Sequence, residues 1–419
     1  MRLRLTLFLT LFLMLAQLPK LAVAQAPATS QDHWVATWAT AEQLIPNPPA
    51  PAPPPQSIGA RGFSRQTVRM IVRISIGGRR LRVKLASAFG SEPVKVAAAH
   101  VALRAKDSEI VAGSDRALTF SGKPDCTLGP GVVLVSDAVD LTAAPLADLA
   151  ISLYFPGETG PPTTHGTGLH TTYISKEGDF TAQPAIADPA TTTASYYWLA
   201  GVDVMAPAKA AAIVAYGDSI TDGAVSTLNT DHSWPALLAA RLTANKKTAN
   251  LGVANMGIGG NRVLRDVTGA SALARFDRDV LSQSGVKWVI WLEGINDIGH
   301  GAVAPAEAVS AEELIAAYKQ ILERAHTHGI RVIGCTLTPY EGAFYSRPEG
   351  EAVREAVNAW IRAGGGFDAV VDFDAATHDP ANPKRFRPEF DPGDHLHPNN
   401  AGYEAMAKAV DLAVFSSHR

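Results

Sequence analysis

Four short segments in the second half of the chain carry residue types that together can perform nucleophilic acyl transfer. The first is Gly217-Asp218-Ser219-Ile220-Thr221-Asp222-Gly223, a serine in a glycine-flanked turn. A serine hydroxyl is a poor nucleophile until a base removes its proton, and histidine does this best near neutral pH. The last segment, Asp394-His395-Leu396-His397, supplies His397 and, three residues before it, Asp394. A carboxylate at that position can fix the imidazole tautomer and stabilise the imidazolium. The oxyanion that forms during attack needs preorganised donors. Those on offer are the Ser219 N–H, the Gly260 N–H in Asn255-Met256-Gly257-Ile258-Gly259-Gly260-Asn261, and the amide of Asn296 in Gly294-Ile295-Asn296-Asp297. Glycine suits the second position because it lets backbone approach a substrate with no Cβ in the way. Gly-Asp-Ser alone is weak evidence, since roughly one chain in ten of this length contains it by chance. The ordered partners give it weight.

Elements must bring these segments together. After about residue 208, buried-looking strands at 213–216, 251–255, 288–292, 332–337 and 369–373 alternate with helical patterns at 235–242, 273–281, 311–328, 351–361 and 401–410. This alternation predicts a parallel sheet covered on both faces, an α/β layered domain over 208–419. Each chemistry-bearing segment follows one of these strands. The carboxyl ends of parallel strands share one edge of the sheet, where open α/β folds place their ligands.

The first half has a period of two. Runs at 68–76 and 81–85 flank Gly77-Gly78, which reads as a hairpin. Further strand-like runs at 96–103, 132–135, 149–155 and 196–204 predict an antiparallel β-sandwich or jelly-roll module over 64–207. Residues 25–63 are rich in Ala, Pro and Gln, with one strand-like run at 34–40. The proline cluster at 46–55 reads as an extended loop. Arg2 and Arg4, the apolar run 5–18 and Ala22-Val23-Ala24 read as a signal peptide cleaved after Ala24. The apolar run is too short to span a bilayer comfortably. No cysteine lies near the cleavage site to suggest a lipid anchor. A secreted or periplasmic protein is expected, with no membrane contact after cleavage. A net charge of −3, with 47% hydrophobic and 18% charged residues, argues against a nucleic-acid partner. Cys126 and Cys335 are read as two separate buried thiols, and a monomer is favoured.

With the four blocks in order from Gly217 to His397, the chain resembles the SGNH (GDSL-type) hydrolases. The resemblance implies a flavodoxin-like three-layer domain and a serine esterase. It assigns Ser219 as nucleophile, Ser219, Gly260 and Asn296 as oxyanion donors, His397 as base and Asp394 as its orienting carboxylate. Gly260, five residues after Asn255, fits the family spacing better than Gly259. The half that precedes the domain is similar, more loosely, to that of secreted bacterial xylanase-associated esterases, on 34–40 and the run around Gly77-Gly78. This implies carboxylic ester hydrolysis, with acetyl groups on carbohydrate as the expected substrate. Lipase, arylesterase or thioesterase activity on longer or aromatic esters is the alternative. A non-catalytic carbohydrate-binding protein is the alternative outside enzymes.

Other roles for the same residues are weaker. Asp394, His395 and His397 resemble metal ligands, but no second cluster with ligand spacing accompanies them, so neither metal nor cofactor is expected. The glycine turn lacks the full dinucleotide fingerprint. No Gly-x-Ser-x-Gly elbow is present. Asp218 and Asp222 read as structural, Asp297 as the cap of the next turn, and His326 and His328 as surface residues. Loops 340–350 and 377–393 are expected to border the cleft. Their Phe344, Tyr345, Phe386 and Phe390 are suited to stacking on sugars, lining an acyl pocket, or simply packing the loops.

Overall fold

The computed structural model describes residues 32–43 and 61–415. The expected signal peptide and the proline cluster lie outside the described residues. The sandwich is built from β1 (His33–Ala39), β2 (Gln66–Arg73), β3 (Gly78–Ala86), β4 (Ala98–Lys106), β5 (Val139–Ala143), β6 (Asp148–Phe155), β7 (Thr172–Glu177) and β8 (Leu199–Ala206). One sheet runs β1–β8–β3–β5 and the other β7–β2–β6–β4, with antiparallel pairing throughout and shorter strands at their margins. Val68, Met70 and Val72 from one sheet and Leu81, Val83 and Leu85 from the other fill the core between them.

The hairpin expected around Gly77-Gly78 does not form. β2 pairs with β6 and β7, whereas β3 pairs with β8 and β5, so the connection crosses between sheets. The reason lies in β2, which is buried at six consecutive positions and is an inner strand covered on both faces. Even Arg69 is fully buried, held by Ser152 Oγ at 2.8 Å and the carbonyls of Ser108 and Gln183 at 2.6 and 2.8 Å. The apparent continuation of the strand, Ile74-Ser75-Ile76, is the crossing itself. Ser75 Oγ donates to Thr37 O at 2.6 Å and accepts from Val253 N–H at 2.8 Å, joining the sandwich to the second sheet.

That second sheet contains β9 (Ala211–Gly217), β10 (Leu251–Gly257), β11 (Val286–Leu292), β12 (Arg331–Cys335) and β13 (Ala369–Val371), all parallel, in the order β10–β9–β11–β12–β13. β9 is buried at every position, as a central strand covered on both faces requires. Around the sheet lie α1 (Ser219–Asp222), α2 (Trp234–Ala244), α3 (Ala272–Phe276), α4 (Ile295–Val303), α5 (Ala311–Thr327), α6 (Pro348–Arg362) and α7 (Asn400–Ala409). α5 opens with a capping box between Ser310 and Glu313, and α6 has proline in its first turn. The strand order is the flavodoxin-like 2-1-3-4-5, which reverses between β9 and β11 and opens a crevice at their carboxyl ends. Ser219 follows β9 and Asn296 follows β11.

No helix among the described residues is long and apolar enough to cross a membrane. Cys126 and Cys335 are both buried and unpaired.

Candidate active site

β9 turns directly into α1. A Cβ at Gly217 would collide with the Leu292 carbonyl and with Thr221 Oγ1, so only glycine lets the chain fold back this tightly. Asp218 is the N-cap of α1 and accepts the Ile220 N–H at 2.9 Å. Ser219 therefore occupies the first helical position, with its side chain free of capping work and its N–H facing outward from the helix start. It is 7% exposed.

His397 Nε2 lies 2.8 Å from Ser219 Oγ, and His397 Nδ1 lies 2.7 Å from Asp394 Oδ2. The three-residue spacing works because Asp394 Oδ1 also accepts the N–H groups of Leu396 and His397, each at 3.0 Å, which folds the segment into a tight turn. Partial burial would raise the Asp394 pKa. The hydrogen bonds from the His397 N–H, the His397 ring and the Leu396 N–H outweigh that, and hold the carboxyl below its usual range. His395 takes no part in this line. Its φ is 59°, and its ring turns away to Asp391 Oδ2 at 2.5 Å.

The loop after β10 is pinned from several sides. Gly260 has φ 74°, in the left-handed region that favours glycine. Ile258 N–H donates to Gly217 O at 3.0 Å, and Asn255 Nδ2 donates to Thr221 O at 3.0 Å, which fastens the loop to α1 and the end of β9. Asn296 Nδ2 donates to Asn261 O at 3.0 Å, and Asn296 Oδ1 accepts from the Tyr345 hydroxyl at 3.1 Å. With Oδ1 fixed by Tyr345, the second hydrogen of the amide remains for a ligand. The N–H groups of Ser219 and Gly260 reach no protein acceptor among the described residues.

Three residues act differently from the sequence expectation or escaped it. Asp297 does not cap the next turn. It is fully buried, and its carboxylate accepts Val263 N–H at 2.7 Å and Leu264 N–H at 3.1 Å, anchoring the glycine loop instead. The Gly294 position that opens α4 has φ 127° and no side chain to cap with, and Asp297 points inward. Arg275, on α3, was not singled out by its sequence context. It is fully buried and donates to Gly217 O at 2.9 Å, Met256 O at 2.7 Å and Asn261 Oδ1 at 2.9 Å, so one guanidinium ties the ends of β9 and β10 to the glycine loop. Tyr345 is the third, as the hydroxyl that orients Asn296. Of the other loop aromatics, Phe386 is buried and Phe390 packs against Gly402 in α7. Phe344 stands 75% exposed, edge-on to Tyr345 with ring centroids 4.4 Å apart.

Beneath the site lie Asp218, Asp297 and Glu293, all buried, with Glu293 3.6 Å from Arg275. Burial first, and then mutual repulsion, raise the pKa values of Asp218 and Glu293. Glu42, where the sandwich meets this domain, is pushed up to about 7 by burial. A group whose pKa is higher folded than unfolded stabilises the fold when protonated, and that contribution is lost as pH rises through the folded value. The melting temperature is therefore expected to fall between pH 5 and pH 8, with a shallower slope in Glu42→Gln. Calorimetry showing a rise over that window would refute the protonated state of these carboxyls.

Residues 215–405 match the GDSL-like Lipase/Acylhydrolase family. Among solved structures, a variant of Axe2, an acetyl xylan esterase from Geobacillus stearothermophilus, is 25% identical, covers 48% of this chain and 92% of its own, and has a TM-score of 0.38. The acetyl xylan esterase AlAXEase is 20% identical, covers 47% of this chain and 96% of its own, and has a TM-score of 0.37. No curated protein matches the chain. Residues 215–405 thus form a GDSL-like lipase/acylhydrolase domain, as in carboxylic ester hydrolases.

Proposed function

We propose that Ser219 is the nucleophile of a serine esterase, His397 its base and Asp394 the carboxylate that orients the base. The observation that carries this is the unbroken line Asp394 Oδ2–His397–Ser219 Oγ, with contacts of 2.7 and 2.8 Å. His397 Nε2 takes the hydroxyl proton as Ser219 Oγ bonds to the ester carbonyl carbon. The negative charge that develops on the carbonyl oxygen is met by the N–H groups of Ser219 and Gly260 and by Asn296 Nδ2. His397 then gives its proton to the departing alcohol, leaving an acyl-serine. A water, deprotonated by the same imidazole, attacks the acyl carbon. The acid leaves, and the proton returns to Ser219.

The proposed substrates are short acyl esters, above all acetyl groups on carbohydrate. Phe344 supports this reading as an exposed aromatic face two contacts from Asn296, suited to the C–H face of a sugar ring. Val225, Leu228 and Val267 are also exposed, on the loops after α1 and after the glycine turn, and they favour longer or aromatic esters as the second reading. Acetylated xylan assayed beside p-nitrophenyl acetate, butyrate and octanoate separates the two. A rate that climbs with acyl length, with no acetate released from xylan, would sink the carbohydrate reading. Export rests on residues 1–24, and an amino terminus of the mature protein other than Gln25 would count against the assigned cleavage site.

Replacing Asn296 by alanine should lower kcat about 100- to 1,000-fold, as loss of one oxyanion donor does elsewhere. The melting temperature should change little by comparison, because Asn296 contributes only one bond to the loop that Arg275 and Asp297 also hold. Full activity in Asn296→Ala would remove this residue from the site.

A further inference from the structure

Behind α1, the sandwich and the α/β domain enclose a cavity of about 100 Å³. Trp38, Arg73, His165, His170, Asp222 and Asp231 are among its walls, and neither Ser219 nor His397 reaches it. That volume is room for several waters' worth of ligand, and the cavity lies between two modules, where small-molecule sites concentrate.

The polar groups in it are buried and only partly satisfied. His165, 3% exposed, lies between Ala41 O, 2.7 Å from Nδ1, and Asp222 Oδ1, 3.0 Å from Nε2. With an acceptor at each nitrogen, the ring is suited to carry both protons. Burial alone would push its pKa down, but the Asp222 carboxylate and these hydrogen bonds raise it above the ordinary histidine value. Asp222 is left with a buried Oδ2 that has no protein partner. His170 Nε2 lies 2.9 Å from Asp231 Oδ1, while Arg73 pairs with Asp231 Oδ2 at 2.7 Å. With Nε2 donating to Asp231, the buried Nδ1 of His170 is an acceptor, and it too has no protein partner.

Charge narrows the choice of occupant. Arg73 and His165 offset Asp231 and Asp222, so the cavity offers no net field to hold an ion of either sign. What it lacks is hydroxyl hydrogen for two separate acceptors, each of which is destabilising while it stays buried and unmet. Trp38 adds a partly exposed aromatic wall, set edge-on to Tyr196 with centroids 5.0 Å apart. We infer that this cavity is a second, non-catalytic site for a neutral polyol of monosaccharide size. One hydroxyl donates to Asp222 Oδ2, another to His170 Nδ1, and the apolar face of the sugar lies on Trp38. The site is separate from the ester-cleaving groups, and its existence does not depend on the roles given to Ser219 or His397. Because Asp222 ends the helix that Ser219 begins, an occupant would rest directly on α1.

Titration calorimetry of the full chain with D-xylose tests this, with sodium acetate and potassium phosphate as comparison ligands. Saturable heat is expected with xylose and none with either anion. His170→Leu removes one acceptor, and Ala236→Trp fills the cavity from α2 while leaving every polar group in place. Each variant should raise the xylose Kd at least about tenfold, the equivalent of one lost buried hydrogen bond. Ala236→Trp keeps the test decisive if His170→Leu fails to fold. No xylose binding, binding undiminished in a folded Ala236→Trp protein, or preference for an anion would each overturn the assignment.

Discussion

Ser219→Ala is expected to lower kcat on p-nitrophenyl acetate by about five to six orders of magnitude, the scale seen when a serine nucleophile is deleted from an intact triad. In this protein the side chain has one role. Asp218, not Ser219, caps α1, and among the described residues the side-chain partner of Ser219 Oγ is His397 Nε2 at 2.8 Å. Alanine removes the attacking atom and leaves the Ser219 N–H, Gly260, Asn296 and the Asp394–His397 pair in place. The melting temperature should therefore stay close to that of the parent, since alanine is also the best helix former for that first position. A residual rate above that in water is expected from the remaining oxyanion donors and binding alone. An active-site sulfonyl fluoride should modify the parent stoichiometrically and the variant not at all. A variant that turned over within tenfold of the parent would show that the serine is not the nucleophile, whatever the geometry suggests.

The parts of this site that were legible in the sequence are those whose chemistry is local. Gly217-Asp218-Ser219 encodes a strand end, a cap and a hydroxyl in three consecutive residues, and Asp394 to His397 encode a turn and a hydrogen-bonded pair in four. The alternation of buried runs with helical periods was enough to predict a parallel sheet, and with it the shared edge on which these segments meet. What stayed hidden acts across sequence. Arg275 binds Gly217 O 58 residues away, and nothing in Ala-Leu-Ala-Arg-Phe distinguishes it from a surface arginine. Tyr345 reaches Asn296 across 49 residues, and Asp297 holds Val263 across 34. The hairpin misreading has the same origin. Gly77-Gly78 between two β-rich runs is a local signal for pairing, but the partner of β2 is decided by which strands cover it, and six buried positions in a row demand cover on both faces. In sequence, Arg69 reads as the polar face of an alternating strand, and the hint against alternation is the apolar run Met70-Ile71-Val72.

Asp394→Asn probes the other end of the hydrogen-bonded line. An amide at this position can keep its oxygen on the Leu396 and His397 N–H groups, so the turn survives. Its NH₂ then faces His397 Nδ1 and donates to it. That forces the imidazole proton onto Nε2, the atom that must accept the proton of Ser219, and the base is lost without any loss of position. If the amide flips to restore the acceptor toward Nδ1, it gives up the two backbone bonds at 3.0 Å and the turn loosens. Either outcome is costly. A buried aspartate in this role is worth about 10⁴-fold in kcat. Asp394 is 41% exposed, so water can partly replace it, and a loss of about 10³-fold is expected. The pH dependence of stability gives an independent reading. The folded pKa of Asp394 lies below its ordinary value, so its contribution is present above the unfolded pKa of 3.8 and disappears as pH falls through the folded value. The melting temperatures of parent and variant should accordingly differ most near neutrality and converge in acid. Unchanged kcat would leave His397 without a dependence on Asp394. A thermal difference that persisted at low pH, with kcat reduced, would instead assign the loss to a damaged turn and not to the proton that Asp394 holds in place.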